Sequence, residues 1–259
     1  MNFLQAIIVG LVEGVTEFLP ISSTFHQIFT AKLLGIPQTD FVKLFEVFIQ
    51  VGAIASVAIL YWHTIRTDKE LVKKTLVAFV PTALIGFAMY KVIKNVFFES
   101  TPLMLTVFIG IGAFFIVYEW YLNRKKIDLK KELTSFTYKQ AFLIGIIQAL
   151  AIVPGVSRAG AVLLGMMFLG FKRSESARFS FLLALPTLAA ASFYDLFKMR
   201  KLLSGNLSHI EILAVGTVAA FISAYVVVKW FITYLQKHSL TNFGWYRILL
   251  GILLLFGVK

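Results

Sequence analysis

The stretch GLVEGVTEFLPISSTFH, from Gly10 to His26, interrupts an apolar helix at a proline and restarts it on hydroxyl residues. A second stretch, GIIQALAIVPGVSRAG, from Gly145 to Gly160, resembles it at an offset of 135 residues. Because ionisable and hydroxyl groups are scarce in so apolar a chain and costly at membrane depth, we predict the active site at these two interruptions. At that offset the paired residues are Gly10 with Gly145, Glu13 with Gln148, Ser22 with Ser157, and Ser23 with Arg158.

The composition is typical of a polytopic membrane protein. The 259 residues are 59% hydrophobic and only 15% charged, whereas about a quarter of the residues in soluble domains are charged. A helix that spans a bilayer needs roughly 20 apolar residues. Six windows of about that length are predicted to span: Phe41–Trp62, Thr75–Val96, Pro102–Leu122, Ser176–Phe197, His209–Leu235 and Phe243–Val258.

The net charge of +12 does not indicate a nucleic-acid partner, because the basic residues lie in short loops between apolar segments. Those loops, His63–Lys74, Asn123–Lys139 and Lys172–Arg173, are better explained by the orientation of the chain in a membrane. The absence of cysteine excludes disulfides and thiolate metal sites. We expect no cleaved signal peptide, since Glu13 and Glu17 interrupt the first apolar stretch.

Each interrupted stretch predicts a helical hairpin too short to span, since a helix of about 15 residues reaches only about 22 Å. Each hairpin is followed by three spans, so the second half must enter the membrane from the opposite side. The predicted fold is therefore an all-α membrane protein with about six transmembrane helices plus two re-entrant helical hairpins in an inverted-topology repeat. Residues 1–125 form the first repeat and residues 136–259 the second, within a single integral membrane domain.

The distribution of Lys and Arg predicts the orientation. With alternating spans, fourteen basic residues fall on one side of the membrane and eight on the other. The more basic side is expected to be cytoplasmic. The N-terminal hairpin would then open to the extracytoplasmic side of the cell membrane, and the second hairpin to the cytoplasm.

The first hairpin contains the residue types of an activated nucleophile. Glu13 and Glu17 are four apart and share one helix face, where their like charges can recruit a cation. Ser22 or Ser23 is placed to cap the helix that follows the break. His26 comes about one turn after Ser23, and a hydroxyl beside an imidazole, with a carboxylate to orient it, is a nucleophile pattern.

The second hairpin has the character of an anion site. Gln148 and Ile152 replace the two carboxylates, Ser157 can cap, and Arg158 suits a phosphate or a carboxylate. Helix N-termini at both breaks add unpaired N–H donors that favour an anion. A nucleophile, a base, an anion clamp and two acids able to hold a metal are the parts needed for phosphoryl transfer.

Structural explanations of the same residues remain open at this stage. Glu13 and Glu17 could form a polar face that packs against Arg158, as a plain ion pair. Ser22 and Ser23 could act only as helix caps, which is the commonest role of a serine after a break.

The motifs resemble those of one enzyme family. EGVTEFLPISSTFH resembles the EGxTEFLPxSSTGH motif of the undecaprenyl-diphosphate phosphatases of the bacitracin-resistance (BacA/UppP) type, and VPGVSRAG resembles their PGxSRSG motif. The resemblance covers nearly the whole chain. Further similar segments are FEVFIQVGAI (Phe45–Ile54), FSFLLALPT (Phe179–Thr187) and YRILLG (Tyr246–Gly251).

This resemblance implies an integral membrane hydrolase that converts the C55 isoprenyl diphosphate to its monophosphate and free phosphate. Such a reaction recycles the lipid carrier of peptidoglycan synthesis and confers resistance to bacitracin. The implied partners are the polyprenyl diphosphate lipid and the bilayer of the inner or plasma membrane; a homodimer is left open.

The resemblance also implies a role for each matching residue. Ser23 corresponds to the nucleophile, His26 to its acid/base partner, and Glu17 to the residue that orients or activates them. Glu13 and Glu17 together correspond to the site of a divalent cation, Mg²⁺ or Ca²⁺. The implied substrate-binding residues are Arg158, Ser157 and Ser22.

Three positions depart from the family motifs. Phe25 stands where the family has glycine, Ala159 where it has a second serine, and Val162 where threonine is common. These departures keep a non-catalytic relative open as an alternative. The inverted repeat and the broken helices, which are frequent in transporters, keep a polyprenyl-phosphate flippase open as another.

Overall fold

Helices account for nearly all of the structure, a computed structural model that describes residues 1–92 and 101–257. Within these residues no β-strand forms, and a single bridge joins Lys131 to Phe171. The predicted all-α fold is confirmed. In chain order the helices are α1 (Phe3–Thr16), α2 (Ser23–Leu33), α3 (Asp40–Phe48), α4 (Gln50–Leu60), α5 (Trp62–Thr67), α6 (Lys69–Val92), α7 (Thr101–Arg124), α8 (Tyr138–Ala149), α9 (Arg158–Phe168), α10 (Arg173–Met199), α11 (Leu207–Lys237) and α12 (Thr241–Gly257).

Five of the six predicted spans correspond to helices long and apolar enough to cross a membrane. In the described part of the chain these are Asp40–Leu60, Lys69–Met89, Pro102–Arg124, Arg173–Leu202 and Leu207–Lys237. The sixth window corresponds to α12, whose 17 residues make it shorter than the other five. The ends of the windows Thr75–Val96 and Phe243–Val258 fall on residues 93–96 and 258, outside the described residues.

Many large apolar side chains lie on the outside of these helices. Leu84 and Phe87 of α6, Val226 of α11, and Leu253 and Phe256 of α12 are all more than half exposed. Exposed apolar surface on this scale is unfavourable in water and favourable against lipid tails. The chain is a multi-pass membrane protein.

The structure divides into two compact units, and each contains pieces of both sequence halves. The first unit comprises Met1–Leu19, Ser23–Val72 and Phe181–Trp230. The second comprises Pro20–Ser22 and the described residues of Lys73–Ser180 and Phe231–Lys259.

In the first unit, small residues let α1 and α4 approach α11 closely. A Cβ atom added at Gly14 of α1 would collide with the backbone carbonyl of Ala220 in α11. A Cβ atom at Gly52 of α4 would likewise meet the carbonyl of Thr217. Because lipid tails give helices no hydrophobic drive to associate, close backbone contact of this kind is the principal source of attraction between them.

The second unit contains two further close helix contacts at glycine residues. Gly145 of α8 lies against the backbone of Ala78 in α6, where a Cβ atom could not fit. A Cβ atom at Gly112 of α7 would lie 2.9 Å from the carbonyl oxygen of Gly244 in α12. A Cβ atom at Gly244 would lie 2.7 Å from the carbonyl oxygen of Gly112. These contacts fix α8 against α6 and α7 against α12.

A buried carboxylate holds three segments of the second unit together. Glu119 of α7 is fully buried and accepts a hydrogen bond from Nε of Arg173 at 2.8 Å, with a second bond from the same guanidinium. It also accepts from the backbone N–H of Leu240 at 2.9 Å. A buried carboxylate needs such donors, and here they join the start of α10 to the turn between α11 and α12.

Candidate active site

The two interrupted stretches have matching backbones. Helices α1 and α8 begin at positions 135 residues apart, and α2 and α9 are both 11 residues long with the same offset at either end. Reciprocal capping bonds start both hairpins at that offset, between Asn2 and Gln5 in the first and between Thr137 and Gln140 in the second. The similarity seen in the sequence thus extends to the conformation, while the opposite orientation of the two halves stays a prediction.

A strained serine precedes the second helix of each hairpin. Ser22 has φ of 67° and Ser157 has φ of 76°, values in the left-handed region that cost a non-glycine residue roughly 1–2 kcal/mol. Within the described ranges, Lys126 is the one other non-glycine residue with positive φ. Strain of this kind persists where the surroundings enforce it, often at functional sites.

The capping role predicted for Ser157 is confirmed. Its hydroxyl oxygen accepts a hydrogen bond from the backbone N–H of Gly160 at 3.2 Å, inside the first turn of α9. Ser22 occupies the corresponding position immediately before α2.

The hydroxyl of Ser23 donates a hydrogen bond to Oε2 of Glu17. Both side chains are buried, with 7% and 6% of their surface exposed, so little water competes for this contact. The arrangement follows from the chain itself, because Glu17 caps the end of α1 and Ser23 begins α2 after a short turn. A serine hydroxyl held by a carboxylate can lose its proton to that carboxylate as it attacks an electrophile.

His26 lies one turn further along α2 and is half-buried. Its ring contacts the Phe25 ring edge-on, with centroids 5.6 Å apart. A hydroxyl has one proton to donate, and Ser23 donates it to Glu17. The structure therefore favours Glu17 as the immediate proton acceptor, and the acid/base role of His26 stays a prediction.

Gln27, which was not among the residues predicted from the sequence, bonds the second carboxylate of the hairpin. Its side-chain amide donates to Oε2 of Glu13 and to the backbone carbonyl of Glu46, the latter at 3.2 Å. Glu13 is fully buried and Gln27 is 3% exposed. A neutral amide supplies the donor that a buried carboxylate requires without bringing a second charge into the membrane.

The donor set of the first hairpin matches a magnesium-type site that uses few protein ligands. Glu13 and Glu17 are two carboxylates one helical turn apart, and no group of three or more Asp, Glu, His or Cys residues able to hold a metal occurs among the described residues. Mg²⁺ in phosphoryl-transfer enzymes is commonly held by one or two carboxylates, with water and substrate phosphates completing its shell. Glu13 and Glu17 supply that number of carboxylates, and cation binding by them stays a prediction.

Arg158 begins α9 and is partly exposed. Its Nη1 donates to the backbone carbonyl of Ser180 in α10 at 2.9 Å, which fixes the direction of the guanidinium. Its position in the first turn of a helix places a positive charge beside backbone N–H groups that favour an anion.

Gln148, the counterpart of Glu13, takes part in a structural contact. Its amide donates to the hydroxyl of Thr82 at 2.9 Å, and that hydroxyl donates to the carbonyl of Gly145 at 2.8 Å. The position that carries a carboxylate in the first hairpin therefore anchors α8 to α6 in the second.

Arg247 of α12 is a fully buried guanidinium that sequence analysis did not identify. It donates to the carbonyls of Phe108 and Pro20 at 3.0 Å each, to Gly155, and to Val156 at 3.5 Å. The available signal was a charged residue inside the predicted window Phe243–Val258, where an ionisable group is costly.

Within the second unit, Arg247 brings the two breaks together. It bonds the carbonyl of Pro20 in the first turn and those of Gly155 and Val156 in the second. The start of α9 also packs against the first turn, since a Cβ atom at Gly160 would lie 3.5 Å from the Cβ atom of Pro20. That Ser23 and Arg158 themselves share one pocket stays a prediction.

The three departures from the family motifs lie in packed surroundings. Phe25 is fully buried against Phe29, with ring centroids 4.7 Å apart. Ala159 and Val162 are also fully buried. The extra bulk of the Phe25 ring is thus taken up by packing along α2.

Comparison with known proteins assigns the chain to a family. The model of the bacitracin resistance protein BacA matches residues 6–253. A protein of Sulfurihydrogenibium sp. named undecaprenyl-diphosphatase is 47% identical over 253 residues, covering 98% of both chains. Proteins of the same name from Aquifex aeolicus and Campylobacter hominis are 44% and 41% identical, covering 96% and 100% of this chain and 95% and 100% of their own lengths. This chain belongs to the bacitracin resistance protein BacA family.

Proposed function

We propose that this membrane protein hydrolyses undecaprenyl diphosphate to undecaprenyl monophosphate and inorganic phosphate. The relatives that match its full length are named undecaprenyl-diphosphatase. The observation that carries the chemistry is the buried hydrogen bond from Ser23 to Glu17 at the start of α2. A transporter has no need of a serine held by a carboxylate, so the enzyme is favoured over the flippase.

Ser23 is the nucleophile in this proposal. Its oxygen attacks the terminal phosphorus while its proton passes to Glu17, and the bond from that phosphorus to the bridging oxygen breaks. His26 protonates the departing lipid monophosphate. Water then attacks the seryl phosphate and gives its proton to His26, while Glu17 returns the proton to Ser23 as inorganic phosphate leaves.

The diphosphate binds to Arg158, with Ser157 and Ser22 as further binding residues. A planar guanidinium can take two phosphate oxygens at once, and the first turns of α2 and α9 add backbone N–H donors. Positive groups of this kind favour the transition state because negative charge builds up on the leaving oxygen.

Glu13 and Glu17 would hold a divalent cation, Mg²⁺ or Ca²⁺. The cation would neutralise charge on the diphosphate oxygens when both are bound. We expect the chelator EDTA to abolish phosphate release and added Mg²⁺ or Ca²⁺ to restore it.

The product is the carrier lipid of peptidoglycan synthesis, so this activity recycles the carrier and confers resistance to bacitracin. We place the protein in the inner or plasma membrane. The excess of basic residues on one side of the spans supports an orientation with the first hairpin on the extracytoplasmic side. A tag on either terminus is expected to be accessible from outside the cell. Association into a homodimer stays a prediction, to be tested by light scattering in detergent.

The decisive experiment is phosphate release by the purified protein from undecaprenyl diphosphate in detergent, with Mg²⁺, with Ca²⁺ and with chelator. Ser23→Ala should abolish release while leaving the elution profile and helical content unchanged. Turnover by Ser23→Ala at the wild-type rate would show that Ser23 is not the nucleophile. Failure of the wild-type protein to release phosphate under any condition would contradict the proposed function itself.

A further inference from the structure

Arg247 is the buried charge that the proposed mechanism does not use. Its guanidinium lies over the Phe108 ring, 4.4 Å from the centroid, and 5.7 Å from the centroid of Phe115. It is 0% exposed, and its hydrogen bonds described above all go to backbone carbonyls. An arginine so enclosed by rings and carbonyls is not placed to receive a phosphate, unlike the partly exposed Arg158.

The carbonyls that Arg247 binds lie where helices are interrupted. Pro20 and Gly155 belong to the turns before α2 and α9, so their oxygens have no partner within a helix. In the interior of a membrane protein, such carbonyls must be satisfied by other protein groups. A guanidinium offers five donors in a rigid plane, which allows one side chain to serve carbonyls from several segments.

The bonds of Arg247 connect three segments distant in the sequence. Phe108 lies in α7, whereas Pro20 and Gly155 lie in the two turns, 227 and 92 residues from Arg247. Ser23 follows the first carbonyl by three residues, and Arg158 follows the second by three. The guanidinium therefore fixes both turns at the same distance along the chain from a proposed functional residue.

The bonds also remove an electrostatic obstacle. Carbonyl oxygens carry partial negative charge and would repel a diphosphate bound at the starts of α2 and α9. The carbonyl oxygens of Pro20 and Gly155 accept hydrogen bonds from the guanidinium of Arg247, whose positive charge compensates their partial negative charge. The N–H groups of the following helix turns are then the backbone groups left to face an anion.

We propose that Arg247 is a positioning residue, which holds the two strained turns so that the starts of α2 and α9 keep the geometry required for phosphoryl transfer. The inference rests on the proposed function and adds to it a residue that touches neither the substrate nor the nucleophile. Misplacement of reacting groups by about 1 Å can lower a rate on the order of 100-fold. We expect Arg247→Lys and Arg247→Gln to lower kcat by roughly that factor, with a smaller change in KM.

Glu119→Gln provides the matched control. Glu119 is as deeply buried as Arg247 and also joins three segments of the second unit, but it bonds Arg173 and Leu240 rather than the turns. Each variant is purified as a monodisperse folded fraction, and kcat, KM and melting temperature are measured on that fraction. Glu119→Gln should lower the melting temperature while keeping the wild-type kcat.

Hydrogen exchange gives a readout independent of turnover. In the Arg247 variants, exchange should rise in peptides covering Pro20–Ser23 and Gly155–Arg158, whereas Glu119→Gln should raise it around Leu240. Wild-type kcat and KM in folded Arg247 variants would overturn the proposal, and so would a loss of all folded protein in both. If the wild-type protein releases no phosphate, the proposed function fails, and unchanged exchange at the turns would separately refute positioning by Arg247.

Discussion

In the first hairpin, buried polar contacts join two carboxylates to side chains of the same hairpin, Glu17 to Ser23 and Glu13 to Gln27, and Gln27 also bonds a carbonyl of α3. In the second hairpin, the contacts reach other helices, from Gln148 to Thr82 of α6 and from Arg158 to a carbonyl of α10. The backbones nevertheless match in helix bounds, capping and strained serines. The same backbone conformation thus supports two different sets of side chains. One hairpin holds a serine hydroxyl against a carboxylate, and the other holds an arginine in a fixed direction.

The largest effect is expected from removing the hydroxyl that distinguishes the first hairpin. Ser23→Ala should reduce kcat by roughly 10⁴-fold or more, because loss of a nucleophile removes the covalent route. The kcat of Glu17→Gln should fall nearly as far, because glutamine keeps the shape of the side chain but cannot accept the proton. Phosphate release by the purified variants measures both effects.

Ser56→Ala is the matched control for this comparison. Ser56 is a fully buried serine of α4 in the same unit, and its hydroxyl donates to the carbonyl of Ala53 at 2.7 Å. Its loss should leave kcat near the wild-type value. Equal losses in Ser23→Ala and Ser56→Ala would assign the effect to folding.

The next largest effect is expected at Arg158, the positively charged side chain of the second hairpin. Arg158→Lys keeps the charge but replaces a planar fork with a point charge, so it should lower kcat/KM by roughly 100-fold, chiefly through KM. Titration of the rate against undecaprenyl diphosphate separates KM from kcat. Arg173→Lys, at the start of α10 where Arg173 bonds Glu119, should lower the melting temperature and leave KM unchanged.

A third experiment exchanges the residues that distinguish the two copies at one position. Glu13→Gln should lower kcat/KM by roughly tenfold to 100-fold and raise the Mg²⁺ concentration needed for half-maximal rate, since one carboxylate of the proposed cation site is lost. Gln148→Glu should instead destabilise the fold by roughly 1–3 kcal/mol, because it places a carboxylate where an amide donates to Thr82. If Glu13→Gln left the Mg²⁺ dependence of the rate unaltered, Glu13 would not bind the cation.

Much of the structure of the two hairpins could be predicted from local sequence. The proline break, the serines after it and the four-residue spacing of the carboxylates are short-range patterns, and they predict where α1 ends and α2 begins. The contact between Glu17 and Ser23 spans six residues across one turn, so the same pattern brings the pair together. The anion-binding role proposed for Arg158 likewise rests on its place in the chain, next to a cap.

The contacts that sequence analysis missed are long-range. Gln27 reaches Glu13 across 14 residues, and Arg247 reaches Pro20 across 227. The partners of Arg247 are backbone carbonyls, which every residue has, so no residue pattern marks them.

The smallest effect tests whether the two strained serines are equivalent. Replacing Ser22 or Ser157 with glycine removes roughly 1–2 kcal/mol of strain at positive φ and costs about 0.4–1 kcal/mol through the freer unfolded chain. Alanine keeps the strain. At Ser157 both replacements also lose the hydroxyl that caps α9, at a cost of about 1 kcal/mol for alanine and about a few tenths of that for glycine. The glycine variant should therefore melt above the alanine variant in both hairpins, as measured by thermal unfolding in detergent.

Lys126→Gly is the control outside the hairpins, since Lys126 has φ of 51° and lies in an exposed loop. It should gain stability from the relief of strain without a change in kcat, whereas Ser157→Gly should lose several-fold in kcat/KM along with its hydroxyl. An alanine variant that melts above glycine in one hairpin but not in the other would show that the two turns are strained for different reasons. The matching backbone would then be a coincidence of conformation rather than a shared device.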